Sequence, residues 1–244
     1  MTSTRFTAAS ATLAAVFVLP LSTSAAMLPV VENYDDGVAD GFTTQDDPTD
    51  ISGANFSVAN DQYEFISVDG VVARAAVEIT DAPSSTPLIV SSDLTFSDLV
   101  GDNSTSGFAL FSDDAELSST YYLADISVDG SMRILQLGGP GGTETIATGS
   151  LGAELNTSDT YSVSAEIVDT GSALELSFTV SDGSNTQSIS GTDTTPLAGT
   201  YFGYRNRGSG LIEGAADNFS AVVPEPGSVS LVLVGLGLMG LRRR

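Results

Sequence analysis

Residues 161–180 read Tyr-Ser-Val-Ser-Ala-Glu-Ile-Val-Asp-Thr-Gly-Ser-Ala-Leu-Glu-Leu-Ser-Phe-Thr-Val. Tyr161, Val163, Ala165 and Ile167 alternate with Ser162, Ser164 and Glu166, and Leu174, Leu176, Phe178 and Val180 alternate with Glu175, Ser177 and Thr179. A period of two is the mark of a strand with one buried face. Between the two runs, Asp169-Thr170-Gly171-Ser172 supplies the residue types of a tight hairpin turn. The stretch therefore predicts two antiparallel strands with a common apolar face.

The same grammar extends in both directions. Upstream, 121–128 and 132–137 flank Asp129-Gly130-Ser131, and a looser turn over 138–142 leads to 144–148. Further strands are predicted at 63–68, 71–79, 88–94, 107–112, 186–190, 201–206 and 216–222, with turn residues recurring about every ten positions. Residues 43–55 are polar and rich in Asp, and read as a long loop. No helical period stands out between residues 27 and 223, and no coil-length repeat supports a β-helix. The fold class predicted is all-β: a jelly-roll β-sandwich of about a dozen antiparallel strands in one domain, 27–223.

The two ends read differently. Residues 1–26 carry Arg5, an apolar core over 8–21 and small residues at 22–26, the layout of a cleaved signal helix. Residues 224–244 begin with Pro224-Glu225-Pro226, continue as an uncharged apolar run over 228–241, and end in Arg242, Arg243 and Arg244. That run is shorter than the roughly 20 residues of an ordinary spanning helix. The arginines would stay on the cytoplasmic side and leave all that precedes Pro224 outside.

Absences bound the chemistry. The chain has no His, Cys, Lys or Trp. Without His or Cys there is no Ser-His-Asp or Cys-His machinery, no disulfide and no ordinary zinc site. Between residues 27 and 223, four arginines (Arg74, Arg133, Arg205, Arg207) face thirty carboxylates, a formal charge of −26. Such a surface repels nucleic acid and anionic lipid and tolerates divalent cations and salt.

The tail, a Pro-Glu-Pro motif followed by a short membrane helix and a basic end, resembles the PEP-CTERM sorting signal of exported proteins of Gram-negative bacteria. The resemblance implies an exosortase as processing partner. It also implies only transient anchoring in the inner membrane, and a destination at the cell surface or in the extracellular matrix. The order of pieces from 30 to 223 resembles concanavalin-like and laminin-G-like jelly rolls. The pieces are Glu32-Asn33-Tyr34-Asp35-Asp36 as a short acidic-aromatic strand, a strand through Phe56 to Asn60-Asp61, the aromatic strand and hairpin from Tyr121 to Ile134, Gly199 to Asn206, and Ala216 to Val222. Phe56 stands where Trp is usual in such domains.

Three candidate sites follow. Pairing of the first and last strands, usual in jelly rolls, would bring Asp35 and Asp36 near Asp217 and Asn218. Related domains carry a structural calcium there, and calcium is the one cofactor implied; the alternative is that Asp217-Asn218 opens a strand. Acidic runs at 46–50 and at Asp113-Asp114 are weaker candidates. A carbohydrate face could draw on Tyr201, Tyr204, Arg205 and Asn206, with one of Tyr121 and Tyr122 exposed and the other in the core. Against this, the tyrosines could be core residues, and Arg205 and Arg207 could pair with acidic side chains. For a glycosidase, Asp125 and Asp129 lie four positions apart on one strand, about 13 Å, too far for a paired-carboxylate mechanism. The expected role is therefore non-enzymatic: an exported structural or adhesive protein tied to exopolysaccharide. A lectin-like binding module and a glycoside hydrolase stand as the alternatives.

Overall fold

The computed structural model describes residues 28–45, 55–79 and 87–223. The signal segment, the acidic run at 46–50 and the tail with Pro224, Glu225, Pro226, Arg242, Arg243 and Arg244 lie outside them. Fifteen strands follow one another: β1 Val30–Glu32, β2 Phe42–Gln45, β3 Asn55–Ala59, β4 Gln62–Ser67, β5 Val72–Glu78, β6 Leu88–Leu99, β7 Thr105–Ser112, β8 Tyr121–Ser127, β9 Ser131–Gly139, β10 Gly142–Ser150, β11 Thr160–Asp169, β12 Leu174–Ser181, β13 Thr186–Asp193, β14 Tyr201–Arg207 and β15 Ile212–Val222. No helix occurs among the described residues.

Two antiparallel sheets form a sandwich. One runs β13-β12-β11-β6-β15-β4-β3, with β1 also on β15, and the other runs β10-β9-β8-β7-β14-β5-β2. The opening stretch behaves as its period dictates: β11 pairs β12 from Ser162↔Ser181 to Asp169↔Leu174, and the eight apolar side chains named above are buried in the core. Asn60 and Asp61 both take positive φ (53° and 59°), the turn that joins β3 to β4 in the hand a two-residue hairpin requires.

Three expectations change. The region 43–55 is not loop throughout, because Phe42–Gln45 pairs with β5 and places Phe42 against Tyr63 and Tyr204. Its polar side chains hid a short edge strand whose apolar anchor is its first residue. The acidic-aromatic strand at 32–36 is only Val30–Glu32; after it, Tyr34 turns to positive φ and enters the core. The Glu32 carboxylate holds this turn by accepting the Tyr34 and Asp40 backbone N–H groups. The strand total also rises from about a dozen to fifteen: β2 is new, while β1 and β3 were expected only from the jelly-roll resemblance.

The centre of the core is aromatic. Around Tyr204, the rings of Phe42, Phe56, Tyr63, Phe108 and Phe219 stand with centroids 5.5–6.1 Å away. Phe56, in the place where Trp is usual, fills its position by packing on Tyr63 and Phe65.

Candidate functional site

Strand alternation divides the expected carbohydrate residues between two faces. Tyr204, 1% exposed, points between the sheets, where its hydroxyl donates to Ser92 Oγ at 2.8 Å. Asn206, also 1% exposed, follows it inward. Neither can stack on a sugar, and both leave the carbohydrate set as it was expected. Tyr122 is a core residue as well, and Tyr121 is not exposed in its place: it is covered on the outer face of the second sheet.

What covers it is the connection 113–120. Asp114 accepts from the Ser118 backbone N–H (3.0 Å) and hydroxyl (2.9 Å), and Ser119 donates to both Asp113 and Asp114. Burial alone would raise the Asp114 pKa, but these donors hold it below its usual value. The folded loop lays Leu117, 0% exposed, on Ala76, Ala109, Tyr121 and Leu123. Asp113-Asp114, expected only as a weaker calcium candidate, thus shapes a loop that covers part of this outer face. Leu117→Ala is expected to lower stability by about 2 kcal/mol, read as a shift of the urea midpoint at constant slope.

The arginines lie further along the same sheet. All four belong to this sheet and, by alternation, to its outer side, since Ala73, Ala75, Met132, Ile134 and Tyr204 beside them face the core. The register puts Arg133 opposite Asp125, Asp125 opposite Gly107, Gly107 opposite Arg205, and Arg205 opposite Arg74. Five strands thus present one transverse row, with Arg207 on the next level opposite Thr105.

Within the row the charges are unevenly matched. Arg133 donates to both oxygens of Asp125, at 2.7 and 2.9 Å, and this bond raises the Arg133 pKa. It is the one ion pair among the described residues. Arg205 is 9% exposed, and its Nε, like that of Arg74, has no hydrogen-bond partner there. The expected pairing of Arg205 with acidic side chains is therefore not what the structure shows. Burial pushes its pKa below the usual range, opposed by Tyr121 and Asp125 and reinforced by Arg74. Gly107 lets the β8 backbone approach closely; a Cβ there would stand 2.1 Å from the Ala124 carbonyl oxygen and 2.6 Å from Asp125 Cα.

The expected calcium residues are not gathered into an ion site. β1 does pair with β15, at Glu32↔Phe219. Asp35, however, accepts from Asn33, and Asp36 accepts from the Val38 N–H. Asp217 and Asn218 lie at a bulge inside β15, not at its start, and Asn218 donates to Asp93. No group of three or more acidic side chains among the described residues is placed to hold a metal. Of the two aspartates weighed for hydrolysis, Asp125 is bound to Arg133, and Asp129 accepts the Ser131 N–H in the β8–β9 turn.

Comparison with known proteins bears on the two parts separately. Residues 222–244 match the family model described as the PEP-CTERM protein-sorting motif. No curated protein matches the chain. Among solved structures, a protein of unknown function from Shewanella oneidensis MR-1 is similar over 83% of this chain and 90% of its own, with 18% identity and a TM-score of 0.53. The metal-free lectin I-B4 of Griffonia simplicifolia is similar over 80% and 98%, with 9% identity and a TM-score of 0.52. Lectin I of Ulex europaeus, solved with the methyl glycoside of α-L-fucose, is similar over 80% and 98%, with 12% identity and a TM-score of 0.51. At these identities the likeness concerns the fold: the described residues form a lectin-like, concanavalin-like β-sandwich.

Proposed function

We propose that the chain is exported, is cut near Pro224-Glu225-Pro226 by an exosortase, and then works at the cell surface or in the extracellular matrix. Its role is structural or adhesive and non-enzymatic, through contact with exopolysaccharide. The observation that carries the processing step is the match of residues 222–244 to the sorting motif, directly behind the last strand, which ends at Val222. A cut at the motif therefore spares every hydrogen-bonded strand. The observation that favours contact with a glycan is the arginine row, the one place where this acidic domain collects its positive charge. A lectin-like module is the second reading, supported by the sandwich and by that same face.

Replacing Pro224, Glu225 and Pro226 together by Ala is expected to leave a full-length chain in the membrane fraction, whereas the parent chain is shortened and released. Immunoblots of membrane and medium read this directly, and equal release of both would overturn the processing step. Reducing-sugar release from exopolysaccharide by the exported protein would overturn the non-enzymatic reading.

A further inference from the structure

We infer that the bond broken in processing is Pro226–Gly227, so that the mature protein keeps Pro224-Glu225-Pro226 as its C-terminal end. The inference rests on the exosortase reading and deepens it by fixing the bond.

The argument begins with what β15 leaves free. A processing enzyme grips its substrate as an extended strand, through main-chain hydrogen bonds beside the scissile bond. Upstream of the motif those groups are taken. Ala221 pairs with Val90 of β6 and with Val30 of β1, Ser220 with Ser91 and Val31, and Val222 with Ile89. Phe219 and Ala221 are buried, the Ser220 and Ser91 hydroxyls are hydrogen-bonded at 2.8 Å, and Val223 packs on the core. To offer 219–223 to an enzyme, the strand would have to leave both neighbours and pull Phe219 away from Phe42 and Tyr204. Opening a core strand costs far more than fraying a free end.

Few bonds remain. Val223–Pro224 and Glu225–Pro226 end on a proline nitrogen, a tertiary amide without the N–H that a substrate presents there. A cut at Pro224–Glu225 would need a grip on Val222 and Val223, one paired and the other packed. Pro226–Gly227 is the first bond preceded by the whole motif and followed by an N–H, and Gly227 has no side chain to obstruct an approach. The membrane sets the limit on the other side. The apolar run begins at Ser228, so residues 223–227 alone join it to β15, at most about 18 Å of chain. An enzyme embedded in the membrane works within that span, and Pro226–Gly227 lies at its membrane end.

The step is a hydrolysis. Water adds its oxygen to the Pro226 carbonyl carbon, and the C–N bond to Gly227 breaks. Both water protons end on the Gly227 nitrogen, which leaves as the ammonium end of the tail. Pro226 ends as a carboxylate, and nothing is oxidised or reduced.

The test is mass spectrometry of the C-terminal peptide of the released protein, made as the full chain in its exporting host. A chain ending at Pro226 is expected. Gly227→Pro turns the bond into a tertiary amide and is expected to lower release at least about tenfold, whereas Gly227→Ala keeps the N–H and is expected to stay within about twofold. Neither change touches the sandwich, which ends before the motif. A short Gly-Ser spacer between Val223 and Pro224 is expected to leave the bond unchanged and release within about twofold.

A released chain ending before Pro226, or carrying residues beyond it, would overturn the assignment and leave the processing reading standing. So would undiminished release of Gly227→Pro. Release raised tenfold or more by the spacer would show that the cut waits on fraying of β15, and would also overturn it. A parent chain that is never shortened would overturn the processing reading and this inference together.

Discussion

Tyr204→Ala is expected to lower the stability of the processed protein by about 3–5 kcal/mol, a large part of what a domain of this size possesses. The reason is position. Tyr204 belongs to β14, in the middle of one sheet, and its ring is enclosed by five others drawn from β2, β3, β4, β7 and β15. Its hydroxyl also reaches the opposite sheet, donating to Ser92 Oγ, which in turn donates to the Asp217 carbonyl. Removing the ring opens a cavity that side chains of both sheets would have to collapse into. Tyr204→Phe keeps the ring and loses only the hydroxyl's hydrogen bonds, donated to Ser92 and, longer at 3.5 Å, accepted from Tyr34, so it is expected to fall by about 1 kcal/mol. Urea unfolding of the two variants checks the contrast; equal losses would mean that the hydroxyl, not the ring, is the main contribution.

Asp193→Ala is expected to destabilise by about 3 kcal/mol, by stranding several donors at once. The carboxylate is buried at the end of β13, yet its partners are mostly in the other sheet. Tyr122 donates to it through a short hydrogen bond, and Gln136 Nε2 donates at 2.7 Å. The Thr195 N–H and hydroxyl hold its second oxygen, at 2.7 and 3.0 Å. The Tyr122 hydroxyl also accepts the Leu197 N–H, so the cluster pins the connection to β14 as well as the two sheets. Burial alone would raise the Asp193 pKa, but the donors from Tyr122, Thr195 and Gln136 outweigh it and bring the pKa below its usual value. A carboxylate with a depressed folded pKa contributes fully above its unfolded pKa and loses that contribution as pH falls through the folded value. Stability is therefore expected to drop below pH ~4, and Asp193→Asn should remove the part of that slope due to this group. Unfolding midpoints at pH 7 and pH 3 for parent and variant measure it; identical slopes would show that other carboxylates are responsible.

The legible parts of the fold were those set by local pattern. The alternation at 161–180 placed eight core side chains correctly, because a period of two leaves no choice of which residues face inward. Alternation also carried a warning about the carbohydrate set: Tyr204 and Asn206 fall on one face of a strand and Arg205 on the other, so the set could not act together. What stayed hidden depends on register between strands distant in sequence. Arg74, Arg133 and Arg205 are scattered along the chain, and only the pairing of β5, β14, β7, β8 and β9 aligns them. The Leu117 cover was hidden because its loop is polar in composition and folds by side-chain to backbone bonds around Asp114. Asp193 had a faint local signal, an Asp two residues ahead of Thr195 in an Asx-type turn, but nothing local pointed to Tyr122 and Gln136.

The place of β15 has a consequence for timing. It lies between β6 on one side and β4 and β1 on the other, so the larger sheet is joined through its last-made strand. A chain threaded outward from its N-terminus cannot close this sheet until residues 212–222 have emerged. The joining pairs link residues more than a hundred positions apart, the slow kind of contact to form. Under the proposed processing, the cut at Pro224-Glu225-Pro226 comes after the strand that joins the larger sheet, so that folding and release become successive steps of one delivery.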